Sequence, residues 1–159
     1  MSATDGPAIA AVGEDDLGDL LPLMRAYCDF YEVAPSDEDL LALSRSLIAD
    51  PERDGIQLIA RDADGTALGF ATIFWTWSTT TAARIAVMND LFVAPAARGA
   101  RLGEALIAAC ADRCRARGVA SLNWQTALDN TRAQALYDRI GARRSQWLDY
   151  DLPVQEEVR

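Results

Sequence analysis

The chain has 159 residues, half of them apolar, with 24 acidic against 15 basic side chains and no histidine, for a net charge of −9. A chain of this length buries about 70% of its unfolded surface, enough for one real core and not for two domains. The acidity excludes a nucleic-acid footprint, which needs clustered positive charge, and no apolar run approaches the roughly 18 residues of a membrane span. The start, MSATDGPAIAAV, lacks the basic and long apolar regions of a secretory leader, so a cytoplasmic location is expected. The charge is segregated: residues 1–54 hold 13 acids and 3 arginines, and residues 55–159 hold 11 acids and 12 arginines. An acidic first third is either a solvated helix face or a surface suited to a cationic partner, and the near-neutral remainder suits a polyanion. Cys28, Cys110 and Cys114 have no framework spacing and read as small core residues, with no disulfide and no metal expected.

Taken in order, Pro7 to Val12 is a short first strand. Asp15 or Asp16 caps a helix whose apolar positions Leu17, Leu20, Leu21, Met24, Cys28 and Tyr31 follow helical spacing, with Pro22 either in its first turn or kinking it. Its end gathers Tyr27, Asp29, Phe30, Tyr31 and Glu32, which are either core aromatics with surface acids or a recognition cluster. Ser36, with Asp39 three residues on, opens a second helix that runs to about Ala49. Ile56–Arg61 and Ala67–Trp77 form a hairpin across the turn Asp62-Ala63-Asp64-Gly65. Trp75 and Trp77, two residues apart on one face, either cover the core or line a groove together, the core being favoured. Ala82 to Val93 is a central strand whose apolar run argues for burial on both faces. A helix with Leu102, Ala105, Leu106, Ala109 and Cys110 on one stripe ends at Gly118. Val119 to Gln125 is a strand, Asp129 or Asn130 to about Ile140 a helix, Ala142 to Leu152 a last strand, and residues 153–159 a polar tail. This order predicts a single α/β domain over residues 1–159 with a mixed central sheet.

The stretch from Met88 to Gly103, MNDLFVAPAARGARLG, carries the strongest chemical signal. A strand and a Pro-marked turn lead into Arg98-Gly99-Ala100-Arg101-Leu102-Gly103, which opens directly into a helix. Free N–H groups at a helix start, glycines that admit close backbone approach and two forked guanidinium groups make an anion site of the kind a pyrophosphate needs. Neither Gly-x-Gly-x-x-Gly nor Gly-x-x-x-x-Gly-Lys-Ser/Thr is present, which excludes the dinucleotide-binding and P-loop readings.

This arrangement resembles the GNAT superfamily of acetyl-CoA-dependent N-acetyltransferases. That family's signature, Gln/Arg-x-x-Gly-x-Gly/Ala after a strand ending Leu-x-Val, is met by Leu91-Phe92-Val93, Arg98 and Gly103, with Arg101 in place of the central Gly. Its second signature, Asn-x-x-Ala-x-x-Leu-Tyr, is met in full by Asn130-Thr131-Arg132-Ala133-Gln134-Ala135-Leu136-Tyr137. The resemblance implies a mostly antiparallel sheet of six to seven strands with helices on both faces. It also implies a splayed parallel pair, here Ala82–Val93 and Val119–Gln125. Acetyl-CoA is the implied co-substrate, its pantetheine arm on the backbone of Leu91, Phe92 and Val93 and its pyrophosphate on Arg98, Gly99, Ala100, Arg101, Leu102 and Gly103. Asn130, Ala133 and Tyr137 share one face of the later helix, and the family's motif turns that face toward the cofactor.

Tyr137 is then the group that returns a proton to the coenzyme A thiolate, and a backbone N–H near Leu91 or Phe92 meets the thioester oxygen. Diamine acetyltransferases of the superfamily have Glu-Asp-Phe/Leu-Phe-Val where this chain has Asn89-Asp90-Leu91-Phe92-Val93. Their proposed base aligns with Asn89, an amide that cannot take a proton. The role passes to Asp90, to Glu32 through water, or to no specific group, and Asp90 alternatively orients a loop or holds the acceptor's ammonium. Tyr31, Glu32, Asn89 and Asp90 are the candidate acceptor-binding residues. Three functions remain open: acetylation of a cationic small amine such as a polyamine, aminoglycoside or amino acid derivative, acetylation of a protein or peptide, and a non-catalytic acetyl-CoA sensor. A homodimer paired through the last strand, with Trp147 and Tyr150, is a further implication of the resemblance.

Overall fold

The computed structural model describes residues 6–99 and 101–155, and the chain divides into two compact units, residues 1–125 and 126–159. The first unit carries the sheet. Its strands are β1 (Ala8–Ala11), β2 (Gly55–Arg61), β3 (Ala67–Ser78), β4 (Ala83–Val93) and β5 (Leu122–Asn123), in the spatial order β1-β2-β3-β4-β5. β1 to β4 pair antiparallel and β5 joins β4 parallel, so the α/β class and the mixed sheet are as predicted. Five strands form among the described residues, not six to seven.

Helices α1 (Leu17–Phe30), α2 (Asp37–Ala49) and α3 (Leu102–Ala116) belong to the same unit. Leu17, Leu20, Leu23 and Met24 of α1 pack on Ile59, Phe70 and Phe92, with Leu40, Leu41 and Ile48 of α2 at the margin. Those three sheet residues stand opposite one another on β2, β3 and β4, so they form one apolar row. Successive strand residues face opposite sides, and Gly69, beside Phe70, lies against α3: a Cβ built there would meet the Phe92 carbonyl oxygen at 2.5 Å and Leu106 at 3.4 Å. The helices therefore cover both faces.

Local chemistry accounts for the element ends. The Ser36 hydroxyl accepts the Asp39 N–H at 3.1 Å and starts α2, as its spacing predicts. The Asp62 carboxylate accepts the N–H groups of Asp64 and Thr66, and Gly65 takes φ 83°, closing the β2–β3 hairpin. A short 3-10 turn, Glu14–Asp16, precedes α1, and Pro22 is accommodated within the helix without breaking it. Gly118, at φ 69°, donates to the Arg115 carbonyl beyond the end of α3, the left-handed stop that glycine permits.

Trp75 is buried, its indole N–H on the Pro51 carbonyl and its ring 4.5 Å from the Arg117 guanidinium, which also bonds Glu52. Trp77 corrects the expectation of a shared core face. It is exposed and stacked under Arg84, because β3 outruns the helices that cover its middle. The three cysteines are buried and unbonded to one another, and burial pushes the Cys110 thiol up to about 12.

In the second unit, α4 (Thr131–Arg139) starts at Asn130, whose side chain accepts the Ala133 N–H. The predicted last strand, Ala142–Leu152, is irregular. Its alternation is strand-like, but a strand needs a ladder partner, and Trp147, Leu148, Tyr150 and Leu152 are instead 82–91% exposed. Residues 153–155 of the predicted tail are irregular and exposed, and 156–159 lie outside the described residues. Among the described residues no helix is long and apolar enough to cross a membrane.

Candidate active site

The site grows from an irregularity in β4. Its register on β3 passes from Ile73 opposite Met88 to Thr72 opposite Asp90, leaving Asn89 as an extra residue, a β-bulge. Before the bulge the backbone of Ala86 faces β5, its N–H donating to the Ser121 carbonyl at 2.9 Å. One inserted residue reverses that alternation. Past the bulge Ala94 donates to the Leu68 carbonyl on β3 at 2.8 Å, so the backbone groups of Leu91 and Val93 point to the β5 side and those of Phe92 to β3. The β4–β5 ladder has already ended at Val87 and Asn123. β5 is only two residues long where seven were predicted. Of the three residues assigned to the pantetheine arm, Leu91 and Val93 turn their backbone groups to the β5 side of β4, where the Val93 carbonyl accepts from Arg98. Phe92 turns its ring into the core.

The following loop delivers the anion site. Pro95–Ala97 forms a 3-10 turn, Arg98 is extended and its Nε donates to the Val93 carbonyl at 3.3 Å, and Gly99 turns with φ 91°. Arg101 then starts α3 in the left-handed conformation, φ 58° and ψ 24°, which is the conformation glycine would adopt freely. Among the described residues no side chain caps this start, which leaves the Leu102 and Gly103 N–H groups at the head of α3 without a side-chain acceptor, with Arg98 and Arg101 on the chain just before them. These residues fit a phosphate-bearing cofactor. Ala100 lies outside the described residues.

On the α1 side of the bulge sits a polar row the sequence does not announce. Gln57, Thr72 and Asp90 are register partners on β2, β3 and β4, and the Gln57 amide donates to the Thr72 hydroxyl at 3.2 Å. Burial raises the Asp90 carboxyl above the usual range, opposed by the polar groups of Thr72, Tyr27 and Asn89 around it. The Asn89 amide contact is 3.0 Å. Tyr27 reaches the same corner from α1, its hydroxyl 3.2 Å from the Asn89 carbonyl, its ring edge-on to Phe70 and Phe92. Burial, and then the Asp90 charge, hold its phenol protonated well beyond the ordinary range. Asn89 therefore steadies Asp90 and the bulge.

Tyr31 and Phe30 continue the aromatic surface outward, the Tyr27–Tyr31 and Phe30–Tyr31 ring centroids 5.0 and 5.1 Å apart, with both outer rings exposed. Glu32 follows at φ 56°, exposed. In the second unit Asn130, Ala133 and Tyr137 do lie on one face of α4 or at its cap, and the Asn130 side chain is engaged as the helix cap. Sequence reasoning missed Gln57, Thr72 and the role of Tyr27. The available signal was a polar residue inside each of two apolar strands, GIQLIAR and ALGFATIFWTWS.

A mixed sheet whose central strand leads through an arginine- and glycine-bearing loop into a helix start is the arrangement that the acetyltransferase resemblance implies. The chain belongs to the GNAT acetyltransferases: the profile described as "Acetyltransferase (GNAT) family" matches residues 20–142. It is 32% identical over 126 residues to the uncharacterized N-acetyltransferase YhfO of Bacillus subtilis (strain 168), covering 79% of this chain and 83% of that one. It is 33% identical over 139 residues to the mycothiol acetyltransferase of Sanguibacter keddieii, covering 84% of this chain and 42% of that protein. A solved structure described as a probable acetyltransferase superposes with a TM-score of 0.81 at 25% identity, covering 94% of this chain and 99% of the other. The chain is thus an acyltransferase of a family that takes its acetyl group from acetyl-CoA.

Proposed function

We propose that the protein acetylates a primary amine of a cationic small molecule, such as a polyamine, aminoglycoside or amino acid derivative, by direct transfer from acetyl-CoA. The observation that carries this reading is the Asp90 carboxyl, hydrogen-bonded and partly buried at the bulge of β4. Burial raises this carboxyl above its ordinary range, the direction in which a carboxylate becomes a better proton acceptor. The exposed Tyr31 and Phe30 rings beside it suit an ammonium-bearing acceptor, and the acidic first third of the chain favours the approach of a cation. Acetyl-CoA supplies the activated acetyl group. Arg98, Arg101 and the N–H groups opening α3 hold its pyrophosphate, and the backbone of Leu91 and Val93 holds its arm. Asp90 takes the proton that the acceptor nitrogen loses, the Leu91 N–H meets developing charge on the carbonyl oxygen, and Tyr137 holds the proton destined for the leaving sulfur. Direct transfer is favoured because the chain has no histidine and its three cysteines are buried, so neither an imidazole nor an exposed thiol is offered to the thioester.

The test is thiol release from acetyl-CoA by the purified protein against polyamines, aminoglycosides, amino acids and lysine-containing peptides. Turnover concentrated in the small polycations supports the reading. Turnover with peptides alone, or none with any amine, refutes it.

A further inference from the structure

The row Gln57–Thr72–Asp90 crosses three strands on the face covered by α1, next to the apolar row of Ile59, Phe70 and Phe92. Gln57 is 3% exposed and Thr72 is 0% exposed. Apolar residues of similar size would fill those positions without desolvating an amide and a hydroxyl, and such replacements are often neutral or stabilising. The fold instead keeps an arrangement in which the Gln57 Oε1 is buried with no hydrogen-bond partner among the described residues. The other end of the amide shows what is gained. Gln57 Nε2 donates to Thr72 Oγ1, so that oxygen serves as acceptor there and its own proton is left for another acceptor, with the Asp90 carboxyl on the residue directly opposite it on β4.

We propose that Gln57 and Thr72 are positioning residues: a hydrogen-bonded row across β2, β3 and β4 that orients the Asp90 carboxylate and sets the pH range in which it accepts the acceptor's proton. This rests on the reading of Asp90 as the base. The groups facing Asp90 are Tyr27 and Cys28 from α1, Thr72 from β3 and Asn89 from its own strand. Arg25 and Asp29 of α1 act on Cys28. Because the donors favour the charged carboxylate, deleting one raises its titration midpoint. The acidic limb of kcat/KM, which needs the base deprotonated, moves up with it.

The experiment follows the Asp90 carboxyl carbon by 13C NMR, assigned with Asp90→Asn, in the full chain and in Thr72→Val, Thr72→Ser and Gln57→Met, alongside kcat/KM against pH. Thr72→Val is expected to raise the midpoint by about one unit, the worth of a hydrogen bond to a charged group, and to shift the kcat/KM limb equally. Thr72→Ser restores both. Gln57→Met shifts both by less, with the unfolding temperature unchanged or raised because the orphan carbonyl leaves with the amide. This variant carries the test if Thr72→Val does not fold. An Asp90 midpoint unmoved by Gln57→Met and Thr72→Val overturns the proposal, whatever the activity does. A midpoint that moves while the kcat/KM limb stays overturns instead the assignment of Asp90 as base.

Discussion

Replacing Arg101 by glycine separates the backbone and the charge of the anion loop. Arg101 opens α3 at φ 58° and ψ 24°, where a side chain costs about 1–2 kcal/mol. Glycine removes that strain but adds unfolded-state entropy worth about 0.5–1 kcal/mol, leaving a net gain of about 0.5–1 kcal/mol. With an unfolding entropy of about 2.1 cal/mol/K per residue near 60 °C, that gain raises the unfolding temperature of a chain this size by about 1.5–3 °C. The exposed guanidinium is lost in the same step, which weakens acetyl-CoA binding by about two- to fivefold if it contributes as a surface ion pair does. Arg101→Ala is the matched control: the charge goes, the left-handed backbone stays, and affinity falls without the thermal gain. Calorimetric unfolding and acetyl-CoA titration of both variants read the two effects. A lower unfolding temperature for Arg101→Gly, or an equal rise for Arg101→Ala, refutes the reasoning.

Tyr137→Phe should lower kcat by about 100-fold or more, the scale of a general acid, while the acetyl-CoA Kd stays near its original value; the reverse pattern in steady-state kinetics and calorimetry refutes the acid role. Arg98→Ala should weaken acetyl-CoA binding by roughly 1.5–3 kcal/mol if its guanidinium meets the pyrophosphate, and unchanged affinity moves the phosphates elsewhere. The Gly13 N–H and the Arg61 guanidinium hold the Asp16 carboxyl below the usual range. Its contribution of about 1–2 kcal/mol is therefore present above the unfolded carboxylate range and lost as pH falls through the lowered folded value. Asp16→Asn should unfold more easily than the parent at pH 7 and converge with it in acid, and a gap that persists at low pH contradicts this.

Much of the fold was legible because local chemistry and tertiary packing agree. The Ser36 cap, the Asp62–Gly65 turn, the Gly118 stop and the apolar row on β4 each follow from residue types whose local preference is also what the packing needs. The anion loop was legible for the same reason, since its glycines and arginines are read in sequence. Legibility ended where a structure depends on residues distant in the chain. The strand content of Ala142–Leu152 hangs on a pairing partner rather than on its own alternation, and Trp77 shares its strand face with Trp75 but not its covering helix. The bulge at Asn89, which decides that Leu91 and Val93 face the β5 side, has no signature of its own. The Gln57–Thr72–Asp90 row depends on the registers of three strands, so no spacing along the chain reveals it.

Direct transfer is tested most plainly by mixing the enzyme with acetyl-CoA before any amine is added, following thiol release by stopped flow and the protein by intact mass. With no lysine or histidine and all three cysteines buried, the account predicts no burst and no acetyl adduct until the amine arrives, and then one thiol for each acetylated product. A burst matching the enzyme concentration, with an acetyl group on the protein that the amine then removes, would contradict it.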